Sequence, residues 1–80
     1  MAMKYICFDN GLFDEIVVFS SNNDHNEFRN KLGINIDDVI SAGFISVNGG
    51  ELHCYGVSVS LKKKSRPDID TKLVKKYFAQ

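Results

Sequence analysis

The chain has little of what usually announces a chemistry. It has two cysteines, Cys7 and Cys54, and neither stands in a Cys-x-x-Cys pair. The ligand spacing of a structural zinc site is therefore missing. His53 and Cys54 are adjacent in an expected strand, so their side chains point to opposite faces and do not converge on one ion. Neither a metal nor a cofactor is expected. Two unpaired thiols fit a reducing, cytoplasmic setting. No apolar run approaches the ~20 residues that cross a bilayer. Lys4 and Asp9 interrupt the uncharged stretch near the N-terminus, so neither a signal peptide nor a membrane partner is expected.

Net charge is also missing: 10 Lys and Arg balance 10 Asp and Glu. A neutral chain is poorly suited to coating nucleic acid, which normally calls for net positive charge. Gly49-Gly50 falls in a hairpin turn rather than between a strand and a helix, so it is no phosphate loop. The acidic pairs Asp14-Glu15 and Asp37-Asp38 lie beside turns, where adjacent carboxylates do not face one another across a cleft. No third group is placed to orient a Cys–His dyad. With no helix-turn-helix, zinc finger or RNP-like run, the residues point away from an enzyme and towards a binding protein.

What is present is a folded composition, 44% hydrophobic and 25% charged, in a length that suits one domain over residues 1–80. Lys4 to Phe8 and Ile16 to Phe19 read as strands joined at Asp9-Asn10-Gly11. Asp24-x-x-Glu27 forms a capping box for a short helix carrying His25, Phe28 and Leu32 on one face, ended by Gly33. Asp37-Asp38 makes a turn. Val39 to Val47 is a third strand, with Gly43 a bulge or a close backbone approach. Asn48-Gly49-Gly50 turns into a fourth strand over residues 51–61, whose Val57, Val59 and Leu61 face one side and Ser58 and Ser60 the other. A second capping box, Ser65 with Asp68, and Pro67 open a final helix with a stripe of Ile69, Leu73 and Tyr77, widened by Val74 and Phe78. The expected fold is α+β: a two-layer ββαββα domain with a four-stranded, mostly antiparallel sheet and both helices on one face. The bare face would suit a homodimer or a partner.

The most specific local feature is basic. Residues 1–60 carry three basic and eight acidic side chains, a charge of −5; residues 61–80 carry seven and two, a charge of +5. Lys62, Lys63, Lys64 and Arg66 cluster where a strand enters a helix. They are the candidate contacts for an acidic protein surface, with Tyr55 as an adjoining anchor. A nucleic acid or nucleotide held by the same cluster is the second reading.

Three runs also carry a resemblance. Lys4-Tyr5-Ile6 with Phe8-Asp9-Asn10-Gly11, Val39-Ile40-Ser41-Ala42-Gly43-Phe44, and Cys54 to Leu61 with Ser65-Arg66-Pro67 resemble a group of small uncharacterised proteins of phages, prophages and their bacterial hosts. The resemblance implies an accessory protein in a bacterial cytoplasm that binds or inhibits a host protein. It implies no catalytic or binding residues.

Overall fold

A computed structural model describes residues 3–79. The strands are β1 (Met3–Asp9), β2 (Asp14–Ser20), β3 (Val39–Asn48), β4 (Glu51–Tyr55), β5 (Val57–Ser58) and β6 (Lys63–Lys64). The helices are α1 (His25–Leu32) and α2 (Pro67–Phe78), with a 3-10 turn at Ile36–Asp38. The fold is α+β, built on a four-stranded antiparallel sheet in the order β2-β1-β3-β4; β5 and β6 pair separately as a short ribbon.

Local chemistry sets the turns. Asp9 Oδ1 accepts from the Gly11 amide and Asn10 Oδ1 from those of Leu12 and Phe13, an Asx-type closure of the first hairpin. Gly49 and Gly50 both have positive φ, 58° and 82°, as a two-residue type I′ turn demands. The Asp24 side chain accepts from the amides of Asn26 and Glu27, and Gly33 ends α1 at φ 71°.

The helices lie on opposite faces of the sheet, which corrects the two-layer expectation. Strand residues alternate between faces. Tyr5, Cys7, Ile16 and Ile45 pack with Val74 and Leu73 of α2, whereas Ile6, Phe19 and Ala42 pack with Phe28 of α1 and with Ile34 and Leu61. The sheet is therefore the middle layer, and among the described residues neither of its faces is left wholly bare. The reason is in the pattern of β1 and β2. Their apolar residues run consecutively (Tyr5-Ile6-Cys7, Ile16-Val17-Val18-Phe19) rather than alternately, the signature of a strand buried on both sides.

Three further expectations change. The strand foreseen over residues 51–61 breaks at Gly56, whose φ is 86°. The alternation beyond it is lost: Ser58 is 1% exposed and Val59 85%. The N-cap of α2 is Arg66, with no capping bond from its own side chain. Its amide donates instead to Asp70 Oδ2 at 2.8 Å, so the Ser65–Asp68 box is not made. The inward stripe of α2 is Asp70, Leu73 and Val74, while Ile69, Tyr77 and Phe78 are substantially exposed; on α1, Leu32 is exposed as well. Of the two roles foreseen for Gly43, the structure shows the close approach. A Cβ there would come within 2.5 Å of the Tyr55 carbonyl oxygen, and the register shift in β3 lies beside Val39, opposite Phe8.

Candidate partner-binding surface

The basic cluster sits on the β5–β6 arm. Val57 pairs with Lys64 and Ser58 with Lys63. The Lys62 amide donates to the Val59 carbonyl at 3.3 Å, and Lys62 itself takes φ 56°, a left-handed conformation that costs a lysine about 1–2 kcal/mol. The arm is held from inside. Leu61 is buried against Ile6 and Ala42. The Ser58 hydroxyl accepts from the Leu61 amide, and the Ser60 hydroxyl from the Asn26 amide at the start of α1. Outside, Val57, Val59, Lys62 and Lys64 are exposed, and Lys63 is half-buried.

Among the described residues no carboxylate lies within ion-pair distance of Lys62, Lys63 or Lys64; the pairs that form are Arg66 with Asp70 and Lys75 with Glu51. Tyr55, half-exposed at the end of β4, rests its ring at 5.7 Å from that of Phe44. The structure thus places Lys62, Lys63 and Lys64 on one arm, with Tyr55 just before it in the chain. Sequence reasoning missed Val57 and Val59 as outward apolar groups. Their signal was Gly56, which interrupts the alternating pattern.

Arg66 stands apart from the other three cations because it turns inward. Its Nη2 and Nε donate to Asp70 Oδ1 at 2.9 and 3.1 Å, and Nη2 also reaches Cys7 Sγ at 3.4 Å. The Tyr5 hydroxyl donates to Asp70 Oδ2. Asp70, with no exposed surface, is therefore ringed by donors, as a buried carboxylate must be. Its signal in the sequence was an acid spaced four residues from Arg66 and four from Val74, which places it on the inward face of a helix.

A carboxylate, a thiol, a phenol and a guanidinium thus meet between β1 and α2, yet the geometry does not favour reaction. Tyr5, Cys7 and Asp70 have no exposed surface. Burial, opposed by the Arg66 charge, pushes the Cys7 thiol up to about 11; burial raises Cys54 to about 11 as well, against a bond with Thr71. At neutral pH both stay thiols, the unreactive form. Burial, then the bond to Asp70, raises the Tyr5 phenol well above its ordinary value. His25 lies elsewhere, on the α1 face. Its ring is buried edge-on to Phe19 and Phe44, with Nε2 2.9 Å from the Gly43 carbonyl oxygen.

Two open grooves flank β2. One, of about 640 Å³, runs between Phe8, Asp9, Glu15, Leu32, Asn35 and Asp38. The other, of about 630 Å³, lies between Phe13, Asp14, Ile16, Leu73, Lys76 and Tyr77. Neither is lined by the arm or by the thiols. Among the described residues no group of three or more His, Cys, Asp or Glu is arranged to hold a metal ion, and no helix is long and apolar enough to cross a membrane.

These features define a small α+β domain with one basic, partly apolar arm and a buried polar core. No protein-family model, curated protein or solved structure matches the chain.

Proposed function

We propose that the protein is a non-enzymatic interaction module whose β5–β6 arm meets an acidic surface on a protein partner. The observation that carries this reading is the arm itself. Three lysines without an ion-pair partner are gathered beside Val57 and Val59, the latter 85% exposed, on a scaffold anchored by Leu61 and Ser58. Unpaired cations steer an acidic partner, and exposed apolar groups among them supply contact area. Lys62 holds a strained backbone conformation at the tip of the arm, and strain of this kind concentrates at functional sites. Arg66 is engaged with Asp70 and acts by holding the base of the arm to α2 rather than by touching the partner. The resemblance to small phage and prophage proteins supplies a setting by analogy: a bacterial host protein, bound or inhibited.

Nucleic acid remains the second reading, favoured by the lysines alone. Zero net charge and the lack of a row of exposed aromatics along the arm weigh against it. The test compares the unaltered protein with the triple variant Lys62→Glu, Lys63→Glu, Lys64→Glu in a pull-down from bacterial lysate, beside titration of single-stranded DNA at low and physiological salt. The expected result is a discrete protein retained by the unaltered chain and lost by a folded triple variant, with no DNA binding at ~150 mM salt. Equal retention by both proteins would overturn the reading. DNA binding that falls steeply with salt and is lost in the variant would replace it with the second.

A further inference from the structure

The two edges of the sheet are treated differently, and the difference points to a second binding surface. At the Gly49-Gly50 hairpin the closing pair is Asn48 with Glu51. In the alternating antiparallel ladder this turns the amides of β4 residues 51, 53 and 55 towards β3 and that of Cys54 outward. The outward Cys54 N–H is capped by Thr71 Oγ1 of α2 at 3.0 Å. Gly56 then breaks the strand, and the arm follows. This edge is blunted by devices that stop strand addition.

The β2 edge has none of them. The Asn10 amide donates to the Phe13 carbonyl at 3.2 Å. Counting along the ladder from that bond, Glu15, Val17 and Phe19 exchange bonds with β1, while Ile16 and Val18 turn both N–H and C=O outward. Among the described residues nothing pairs with that outward row. The strand is seven residues long, has no proline or lysine, and is uncharged from Ile16 to Ser20. Helices cover both faces, and the two grooves run along either side of this edge.

We infer that β2 is a self-association edge, where a second copy of this chain adds its own β2 antiparallel and extends the sheet across a two-fold axis at Val17. In that register Ile16 and Val18 of each chain exchange backbone hydrogen bonds with Val18 and Ile16 of the other. Charge favours a second copy in this orientation. Asp14 and Glu15 stand opposite the copy's Ser20 and Phe19, so the two Asp14 positions lie about 21 Å apart and the two Glu15 positions about 14 Å apart, both beyond the ~8 Å screening length at physiological salt. Lys4 is the β1 neighbour of Phe19 and shares its face. Glu15 of one chain therefore sits about 10 Å, two strand spacings, from the copy's Lys4; to pair, Lys4 Nζ exchanges its 2.9 Å bond to the Asn23 carbonyl, and Glu15 its bond from Asn10, for the new partner. A parallel pairing would set the acids against each other. The arm packs against β3, separated from β2 by β1, so this inference and the proposed function stand or fall separately.

The experiment is sedimentation equilibrium of the full chain from 5 to 500 µM (roughly the range in which modest interfaces dissociate), together with amide hydrogen exchange by NMR. The expected result is a concentration-dependent rise from the 9.0 kDa of one chain towards twice that mass. Amides of Ile16 and Val18 should become protected in step with it. Val18→Pro removes an outward donor that the monomer does not use, and should weaken association at least ~10-fold while far-ultraviolet circular dichroism is retained. A monomer throughout the range overturns the inference and leaves the edge to a strand from another protein. A dimer in which Ile16 and Val18 amides exchange freely overturns it too, and this measurement does not depend on the variant folding.

Discussion

The Tyr5 hydroxyl donates to Asp70 Oδ2 at 2.5 Å, joining the first strand to the last helix across 65 residues of chain. The same carboxylate takes the Arg66 amide and two guanidinium N–H groups. One buried acid thereby fixes the start of α2, the base of the arm and the centre of the sheet. Asp70→Asn keeps an acceptor for Tyr5 but turns an amide donor towards the Arg66 donors and removes the counter-charge. Arg66 is 30% exposed and can partly rehydrate, so the expected cost is about 2–3 kcal/mol, below the 3–5 of a fully buried broken pair. Tyr5→Phe, which leaves the Arg66 donors in place, should cost about 1–2 kcal/mol. Urea unfolding measures both. Asp70→Asn within about 0.5 kcal/mol of the unaltered protein would contradict this account of the network.

His25 makes stability depend on pH. Burial holds its pKa below the ordinary 6.5, although the Gly43 carbonyl, accepting from the ring, pulls the other way. The unfolded chain takes up a proton near pH 6.5 that the folded chain refuses. The contribution is thus present in full above pH 6.5 and is lost as pH falls below that value towards the folded pKa. The Asp24 carboxylate, lowered from 3.8 chiefly by the Glu27 amide, acts only at lower pH. The urea midpoint should therefore fall between pH 7.5 and about 5 in the unaltered protein and change less in His25→Gln. Parallel profiles for the two proteins would show that His25 is not responsible.

The thiols should be silent in the native state. Cys7 and Cys54 are buried and shifted up to about 11, so a disulfide reagent at pH 7.5 is expected to modify neither until the chain opens. Reaction should rise with urea along the unfolding curve. Fast stoichiometric labelling of either thiol in the native protein would reveal a reactive cysteine that the structure does not account for.

Much of the local structure was legible. Gly49-Gly50 and Asp9-Asn10-Gly11 marked turns because few other residues tolerate those backbone angles or close those loops. Asp24 and Gly33 bounded α1, whereas the β5–β6 arm was not legible, residues 51–61 reading as one strand. The role of Arg66 was not legible. A cation next to three others reads as one surface until the fold shows Asp70 one helical turn away and turned inward. Likewise, Val57-Ser58-Val59 alternates like a strand, and only the turn at Gly56 reveals that the serine is the buried member.

The sequence by itself determined where the chain turns, which segments extend or coil, and that its charge divides into an acidic part and a basic end. These follow from interactions among residues a few positions apart. Only the tertiary structure decided which side of the sheet each helix covers, which cation is neutralised, and which sheet edge stays open. Those outcomes depend on contacts such as Tyr5 with Asp70 and Cys54 with Thr71. Such partners are brought together by burial of the whole core, and no local pattern encodes their meeting.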